Sequence, residues 1–226
     1  MKSIIDRLIF GMSTLFFPPI CVGCQKRIPQ NQTLVCNSCR QQLQYLSDEM
    51  ILNKEIPENL NVIIPVYVYD ERVKGIIHAL KYQGFKSLGI ALGELIASHV
   101  KSKIKIEPNT ILMPIPLHPI KYRERGYNQS YFIAKGLENT LNLNLKNNVL
   151  KRTKNTITQT HLTALERHQN MQEAFKLMDG VDFSQIENVI LVDDVFTTGS
   201  TLNSAAGVLK SAGVDSVIGV TVTAPL

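Results

Sequence analysis

The chain has 226 residues, which is enough for one ordinary globular domain and one small additional module. Hydrophobic residues make up 44% and charged residues 19% of the sequence, as in a soluble globular protein, and no internal repeat or low-complexity tract is present. The formal net charge of +5 and the isoelectric point near 9.0 allow an anionic partner such as phosphate or nucleic acid without requiring one.

An apolar stretch near the start of the chain, Leu8 to Phe17, has the hydrophobicity of an export signal but lacks the other features of one. Asp6 stands in the region that a signal peptide keeps basic, and residues 17–20 are not a small-residue cleavage site. The stretch is also too short to span a bilayer. It is predicted to form an amphipathic or docking helix, and we expect a cytoplasmic protein with no transmembrane segment.

The four cysteines form two Cys-x-x-Cys pairs, Cys21 with Cys24 and Cys36 with Cys39. Each pair can place two sulfurs on one ion, and two pairs complete the tetrahedral thiolate site that suits Zn²⁺. Two structural disulfides are the alternative, which a cytosolic location disfavours, whereas thioredoxin-like redox chemistry needs only one pair. We therefore predict a zinc ribbon that holds a structural Zn²⁺ and has no open position for catalysis.

The chain is predicted to divide into three parts. Residues 1–46 form the N-terminal helix and zinc ribbon, residues 47–61 a linker, and residues 62–226 a second domain. This domain begins with a strand over Asn61 to Tyr69, which Pro65 restricts to a sheet edge or a bulge.

Two helices and a buried strand are predicted next. The first helix is capped by Asp70 and ends near Lys81, and the second runs from Ser87 to Lys101. Lys81 fits either the solvated surface or a phosphate contact, and its spacing favours the surface. The buried strand runs from Thr110 to Ile115.

A basic segment, Pro116 to Ser130, follows that strand and is predicted to be a loop that leads into a helix from Asn128 to Leu141. Cations at a strand end suit pyrophosphate, and an exposed charged loop is the alternative. The cations and the tyrosines among them are Lys121, Tyr122, Arg123, Arg125 and Tyr127.

The next segment contains a short strand and a long polar stretch. The strand begins at Val149-Leu150 and is followed by basic residues that include Arg152. Residues 156–175 have little apolar content, which is typical of a lid or of disorder, and beside a phosphate site we favour a lid. A last apolar strand is predicted over Asp215 to Thr223.

The strongest signal is the stretch VILVDDVFTTGST, from Val189 to Thr201. Its first four residues are typical of a strand buried on both faces of a parallel sheet. Two acids, Asp193 and Asp194, follow the strand, and a loop then leads into a helix that is predicted to stop at Gly213. The loop consists of Thr197, Thr198, Gly199, Ser200 and Thr201.

This order of elements suits a ribose 5-phosphate. Backbone N–H groups at a helix N-terminus and the loop hydroxyls can donate hydrogen bonds to the phosphate. The glycine lets the backbone approach the phosphate closely. Two carboxylates at the carboxyl end of a strand can accept hydrogen bonds from the sugar hydroxyls. An ordinary strand-to-helix turn capped by Thr or Ser is the alternative.

The same stretch resembles the phosphoribosyl pyrophosphate (PRPP) motif of type I phosphoribosyltransferases. The resemblance implies that Asp193 and Asp194 hold the ribose hydroxyls and that Thr197 to Thr201 hold the 5-phosphate. Several purine-salvage members have an acid at the first loop position, where this chain has Thr197, so purine-base salvage is disfavoured.

Together with the cysteine pairs, this motif resembles the ComF family of competence proteins. The resemblance extends from Cys21 to Thr201 and includes the segments LKYQG, PIPLHPIKYRERGYNQS and LKRTKNTITQTHLTALERHQN. It implies an α/β fold, with a type I phosphoribosyltransferase-like parallel sheet flanked by helices and preceded by a zinc ribbon. It also implies a cytoplasmic role in natural transformation and partners that include single-stranded DNA, the competence helicase and the DNA-processing protein. Such partners would place the protein at the inner face of the membrane.

Two classes of function remain open. The first is a protein that binds PRPP or a related ribose phosphate and handles imported single-stranded DNA, to which basic groups and tyrosines are suited. The second is an active phosphoribosyltransferase that transfers ribose 5-phosphate from PRPP to a nucleophile. In both, Mg²⁺ neutralises the diphosphate. The expected pyrophosphate or nucleic-acid contacts are Lys81, Arg123, Arg125 and Arg152.

Overall fold

The computed structural model describes residues 19–29, 34–52, 55–153, 174–180 and 186–226. The predicted N-terminal helix lies outside these residues, as does the predicted lid up to residue 173. Within the described ranges, no helix combines the length and the hydrophobicity that a bilayer span requires.

The fold is a parallel sheet with helices on both sides. In chain order the strands are β1 (Val62–Val68), β2 (Thr110–Pro114), β3 (Asn144–Leu145), β4 (Leu150–Arg152), β5 (Phe175–Leu177), β6 (Asn188–Val195) and β7 (Ser216–Ala224). The helices are α1 (Asn37–Gln41), α2 (Asp48–Leu52), α3 (Glu71–Tyr82), α4 (Lys86–Lys103), α5 (Pro119–Arg125), α6 (Gln129–Leu141) and α7 (Ser200–Ser211). Five strands pair in parallel in the order β1-β7-β6-β2-β3, and β4 pairs with β5 in a separate antiparallel ribbon. This architecture confirms the predicted α/β class.

Strand β6 occupies the centre of the sheet, between β7 and β2. Its apolar run fits that place because alternate residues serve opposite faces: Ile190 and Val192 pack with α3, α4 and α6, whereas Val189 and Leu191 pack with α7. β1 lies at the edge of the sheet, as Pro65 predicts. Its outer side pairs with residues 44–46, where the backbone N–H of Leu46 donates to the carbonyl of Val66.

The predicted helices form close to their expected limits. The Asp70 side chain accepts a hydrogen bond from the backbone N–H of Val73 at 2.7 Å and caps α3. Helices α4 and α6 meet at Gly93 and Gly136, where a Cβ at Gly93 would lie 2.0 Å from the Ile133 carbonyl oxygen. This close contact fixes α6 against the sheet and therefore fixes the position of its N-terminus.

The cysteine module packs directly on the sheet domain. Cys21, Val22 and Cys39 are buried in the same apolar cluster as Ile76 of α3 and Leu88 of α4. Residues 47–61, predicted as a linker, include helix α2 and the buried Leu60. The division into 1–46, 47–61 and 62–226 stays a prediction; the described residues of the cysteine module and of the sheet domain share one apolar cluster.

The basic segment after β2 is largely helical, so the prediction of a loop there was wrong. Pro119 stands at the first helical position of α5, and Nδ1 of His118 accepts a hydrogen bond from the Ile120 N–H at 3.3 Å. Gly126 ends the helix with φ of 76°. The tyrosine that follows, Tyr127, is only 4% exposed, and its hydroxyl donates to the Leu80 carbonyl.

Two further boundaries differ from the sequence predictions. Asp193 and Asp194 lie inside β6, which continues to Val195 because its pairing with β7 extends to Val195 and Thr223. Phe175, placed in the lid by its polar surroundings, belongs to β5 and pairs with Arg152 of β4.

Candidate functional site

A polar pocket of about 210 Å³ lies at the carboxyl ends of β2 and β6. The end of α3, the helices α5 and α6, strand β4 and the start of α7 complete its wall. In a parallel sheet the strand ends and the helix N-termini meet at this edge, which explains why distant segments converge here. The charged and amide side chains that line it are Lys81, Lys121, Arg125, Gln129, Arg152, Asp193 and Asp194.

The two acids of β6 have different environments. Oδ1 of Asp193 accepts hydrogen bonds from the Ser130 hydroxyl and from the Asp194 backbone N–H, both at 2.9 Å. Oδ2 of Asp194 lies 2.9 Å from Nζ of Lys81. Burial and the neighbouring Asp194 carboxylate raise the pKa of Asp193 to about 6. The pair therefore combines an ion-paired carboxylate with one whose pKa is raised to about 6.

Three of the four predicted cations face this acidic pair. Lys81 stands in the last turn of α3, Arg125 ends α5 and Arg152 ends β4, and all three line the pocket. Burial lowers the pKa of the Arg152 guanidinium, while the Asp193 carboxylate acts in the opposite direction. Arg123 is exposed and lies outside the pocket lining that the described residues form.

The hydroxyl and glycine loop lies between β6 and α7. Gly199 adopts φ of 73°, and a Cβ there would lie 2.5 Å from Cγ of Pro57 and 2.7 Å from Cε2 of Phe196. Thr197 and Thr198 are exposed, the Thr198 and Ser200 hydroxyls share a hydrogen bond, and Thr201 reaches the pocket lining. The loop thus presents hydroxyls and the N-terminus of α7 at the rim of the pocket.

Sequence reasoning missed two residues at the start of α6, Gln129 and Ser130, which are 1% and 2% exposed. Ser130 holds Asp193, and Gln129 Oε1 accepts a hydrogen bond from Arg125 Nη1 at 3.0 Å. Asn128 anchors this turn, since its Nδ2 donates to the Ile115 carbonyl at 2.9 Å. The signal for them is weak: polar residues in a first helical turn usually serve as caps.

The four cysteines come together as predicted. All are free thiols, and their sulfur atoms lie within 4.8 Å of one another. Zinc–sulfur bonds of about 2.3 Å in a tetrahedron place sulfurs about 3.8 Å apart. The Cys24 and Cys36 sulfurs are 3.9 Å apart, so the cluster fits a Zn²⁺ ion. Burial opposes ionisation of Cys21, but backbone N–H groups of Cys36, Cys24 and Gly23 lower its pKa to about 6.

No protein-family model matches the sequence. The chain is 33% identical over 203 residues to competence protein F of Haemophilus influenzae, which covers 88% of this chain and 87% of that protein. DNA utilization protein YhgH of Escherichia coli is 29% identical over 158 residues, 69% of this chain and 68% of that protein. Competence protein ComFC of Bacillus subtilis is 26% identical over 197 residues, 86% of this chain and 72% of that protein.

Proposed function

This chain belongs to the competence protein F (ComF) family, and we propose that it acts in the uptake and use of DNA through a site that binds PRPP or a related ribose phosphate. The DNA role is supported by the names of its relatives, which are competence and DNA utilization proteins. The ligand is inferred from the chemistry of the pocket.

One observation carries the ligand assignment: two carboxylates and four cations, Lys121 among them, share one small pocket beside a helix N-terminus. Asp193 and Asp194 supply hydrogen-bond acceptors, and Lys81, Arg125 and Arg152 supply positive charge. A ligand that fits both the acceptors and the cations must carry hydroxyl donors close to anionic groups, as a phosphorylated ribose does. The diphosphate oxygens of such a ligand can also bind Mg²⁺, which prefers phosphate oxygens as ligands.

The roles follow from these positions. The carboxylates of Asp193 and Asp194 accept hydrogen bonds from the ribose hydroxyls. The segment Thr197 to Thr201 and the N-terminus of α7 bind the 5-phosphate. Lys81, Arg125 and Arg152 bind the diphosphate, and Arg123, outside the pocket, does not take part in PRPP binding.

Calorimetric titration with PRPP and Mg²⁺ tests this proposal. Asp193→Asn and Asp194→Asn each remove a charge-assisted hydrogen bond worth about 1.5–3 kcal/mol, so each should weaken affinity about 10- to 150-fold. Asp215→Asn is the matched control, because Asp215 is exposed and lies outside the pocket lining. Unchanged PRPP affinity in both pocket variants would rule out the ribose role.

An active phosphoribosyltransferase is a second candidate, favoured by the raised pKa of Asp193, which makes it a base poised near neutral pH. In that reaction a nucleophile attacks the anomeric carbon, the bond from that carbon to the diphosphate oxygen breaks, and pyrophosphate leaves. Asp193 accepts the proton of the nucleophile. A screen of candidate nucleophiles for pyrophosphate release tests for turnover, and release that persists in Asp193→Asn would exclude Asp193 as the base.

Binding of single-stranded DNA is the third element of the proposal, and the surface beside the pocket supports it. Tyr82 is 64% exposed, and the Arg125 guanidinium lies 5.5 Å from its ring centroid. Tyr122 and Arg123 are exposed on the neighbouring helix α5. Stacked bases and phosphates of a single strand match such a surface. The buried Tyr127 has no role in it.

Salt dependence and paired variants test the DNA proposal. Affinity for a single-stranded oligonucleotide should fall with salt, with a log–log slope of about −0.7 per phosphate neutralised. Arg123→Glu should weaken DNA binding and leave PRPP binding intact, whereas Arg125→Glu should weaken both. Absence of salt-sensitive binding by the unmodified chain at low ionic strength would remove the nucleic-acid role. Pull-downs with DNA present test the competence helicase and the DNA-processing protein as partners.

A further inference from the structure

We propose that Gln129 determines specificity for the diphosphate end of the ligand, by donating a hydrogen bond from its side-chain amide to a diphosphate oxygen. This inference rests on the proposed PRPP site. Gln129 is the first residue of α6, is 1% exposed and lines the pocket. Its amide nitrogen, Nε2, is buried and has no hydrogen-bond partner among the described residues.

The orientation of the amide is set by its neighbour. A guanidinium has only donors, so the Gln129 atom that lies 3.0 Å from Arg125 Nη1 must be the oxygen. The N–H₂ group therefore points away from Arg125. Turning the amide over would bring two donors together and would lose this hydrogen bond.

A buried amide nitrogen without an acceptor is costly for the free protein. Leaving such a donor unsatisfied costs about 1–3 kcal/mol, and native structures contain few of them. Nε of Arg125, in the same part of the pocket, is also buried and has no hydrogen-bond partner among the described residues. Two orphan donors that belong to hydrogen-bonded neighbours indicate that an oxygen-rich group of the ligand completes their bonding.

The diphosphate is the group that fits. In the proposed site, the 5-phosphate accepts hydrogen bonds from the hydroxyls and backbone N–H groups of residues 197–201. The ribose hydroxyls donate to the acidic pair. The remaining anionic group faces Lys81, Arg125 and Arg152, where Gln129 adds a neutral donor of fixed direction. A ligand without a diphosphate, such as ribose 5-phosphate, leaves the amide unpartnered.

Gln129→Met tests the proposal with three probes: PRPP with Mg²⁺, inorganic pyrophosphate and ribose 5-phosphate. Loss of a hydrogen bond to a charged acceptor should weaken PRPP and pyrophosphate at least about tenfold. Ribose 5-phosphate affinity should not change. Gln44→Met is the matched control, because Gln44 is exposed beside the edge strand β1, which β7 separates from β6, and it lies outside the pocket lining.

Two readouts separate a direct contact from a structural role. The variant removes an unsatisfied donor and also the acceptor of the Arg125 hydrogen bond, and because these effects oppose each other the thermal midpoint of the ligand-free chain should change little. If Gln129 acts only by holding Arg125, Gln129→Met will have no further effect on pyrophosphate affinity in an Arg125→Met background. A direct donor predicts a further loss of about threefold or more in that background.

The outcomes are distinct. PRPP binding by the unmodified chain with no loss in Gln129→Met overturns this inference and leaves the proposed function standing. Equal losses for PRPP and ribose 5-phosphate, or full non-additivity with Arg125→Met, also overturn it. No PRPP binding by the unmodified chain overturns the proposed function, and this inference with it.

Discussion

Lys81 and Asp194 form an ion pair across the pocket, with 2.9 Å between Nζ and Oδ2 and with only 23% and 12% of the two side chains exposed. The pair joins the last turn of α3 to the end of β6, so it ties this helix to the central strand. Lys81 also lowers the pKa of Asp193 through its charge, against the larger effects of burial and Asp194. One lysine therefore contacts Asp194 directly and also acts on Asp193 through its charge.

Lys81→Met should destabilise the fold and weaken PRPP binding. Loss of the cation leaves Asp194 partly buried without its partner, which costs about 1–3 kcal/mol. It also raises the pKa of Asp193 further, so PRPP affinity should fall more at pH 6 than at pH 8. Calorimetry at the two pH values and urea unfolding measure these effects.

The matched control for this variant is Lys74→Met on the same helix. Lys74 lies 3.1 Å from Glu71 in an exposed pair, so its loss should cost less than about 1 kcal/mol and leave PRPP affinity unchanged. Equal destabilisation by the two variants would contradict a special role for Lys81.

Asp193→Asn should stabilise the ligand-free chain at neutral pH. Because the folded-state pKa of about 6 lies above the reference value of 3.8, protonated Asp193 stabilises the fold. That contribution is complete below about pH 4 and is lost as pH rises through about 6. The variant keeps an acceptor for Ser130 and avoids the buried charge, so its advantage should grow from near zero at pH 4 to about 1–3 kcal/mol at pH 7.

Urea unfolding of both proteins between pH 4 and pH 7.5 measures this difference, with Asp215→Asn as an exposed control. The same variant should lose PRPP affinity, so stability and binding should change in opposite directions. A free energy of unfolding that is equal for both proteins at pH 7 would show that the pKa of Asp193 is not raised.

The sequence predicts the elements whose signals are local. The apolar run before Asp193 marks the central strand, Asp70 marks the start of α3, and Gly213 directly follows Ala212, the C-cap residue of α7. Each depends on neighbours within a few residues. The cysteine cluster is equally local, because two short pairs determine most of its geometry.

The parts that could not be predicted depend on distant contacts. Tyr127 looks like a surface residue among cations, yet it is buried because its hydroxyl reaches the carbonyl of Leu80, 47 residues away in the chain. Gln129 and Ser130 have the composition of an ordinary helix start, and their roles come from Arg125 and Asp193. Helix α5 is short and charged, so it carries no apolar face that periodicity can detect.

The cysteine cluster should contain about one Zn²⁺ per chain, measured by metal analysis of the purified protein. Because Cys39 is buried in one apolar cluster with residues of α3 and α4, Cys39→Ser should lower the stability of the whole chain and not of the N-terminal module alone. Circular dichroism and zinc release should then report one shared transition.

Ser38→Ala is the control for the cysteine variant, since Ser38 is exposed on the same helix α1. It should retain zinc and stability. A metal-free chain with full native stability, or a Cys39→Ser protein with an unchanged sheet-domain transition, would contradict the structural role of the cluster.

Gly199→Ala should destabilise the chain and weaken binding of the 5-phosphate. Gly199 has φ of 73°, and an added Cβ would overlap Pro57 and the Phe196 ring at 2.5 and 2.7 Å. The variant Gly213→Ala separates backbone strain from steric overlap. Gly213 has φ of 93°, and no described heavy atom lies within 4 Å of an added Cβ. Gly213→Ala should therefore lower the free energy of unfolding by about 1–2 kcal/mol, the cost of holding a non-glycine residue in the left-handed backbone region.

Gly199→Ala adds steric overlap to the same backbone cost. It should therefore lower the free energy of unfolding by at least about 1 kcal/mol more than Gly213→Ala. Relief of the overlap must move the loop between β6 and α7, which carries the hydroxyls of Thr198 and Ser200. Ribose 5-phosphate affinity should therefore fall in Gly199→Ala and stay unchanged in Gly213→Ala. Equal phosphate affinity in the two variants would show that this loop does not bind the 5-phosphate.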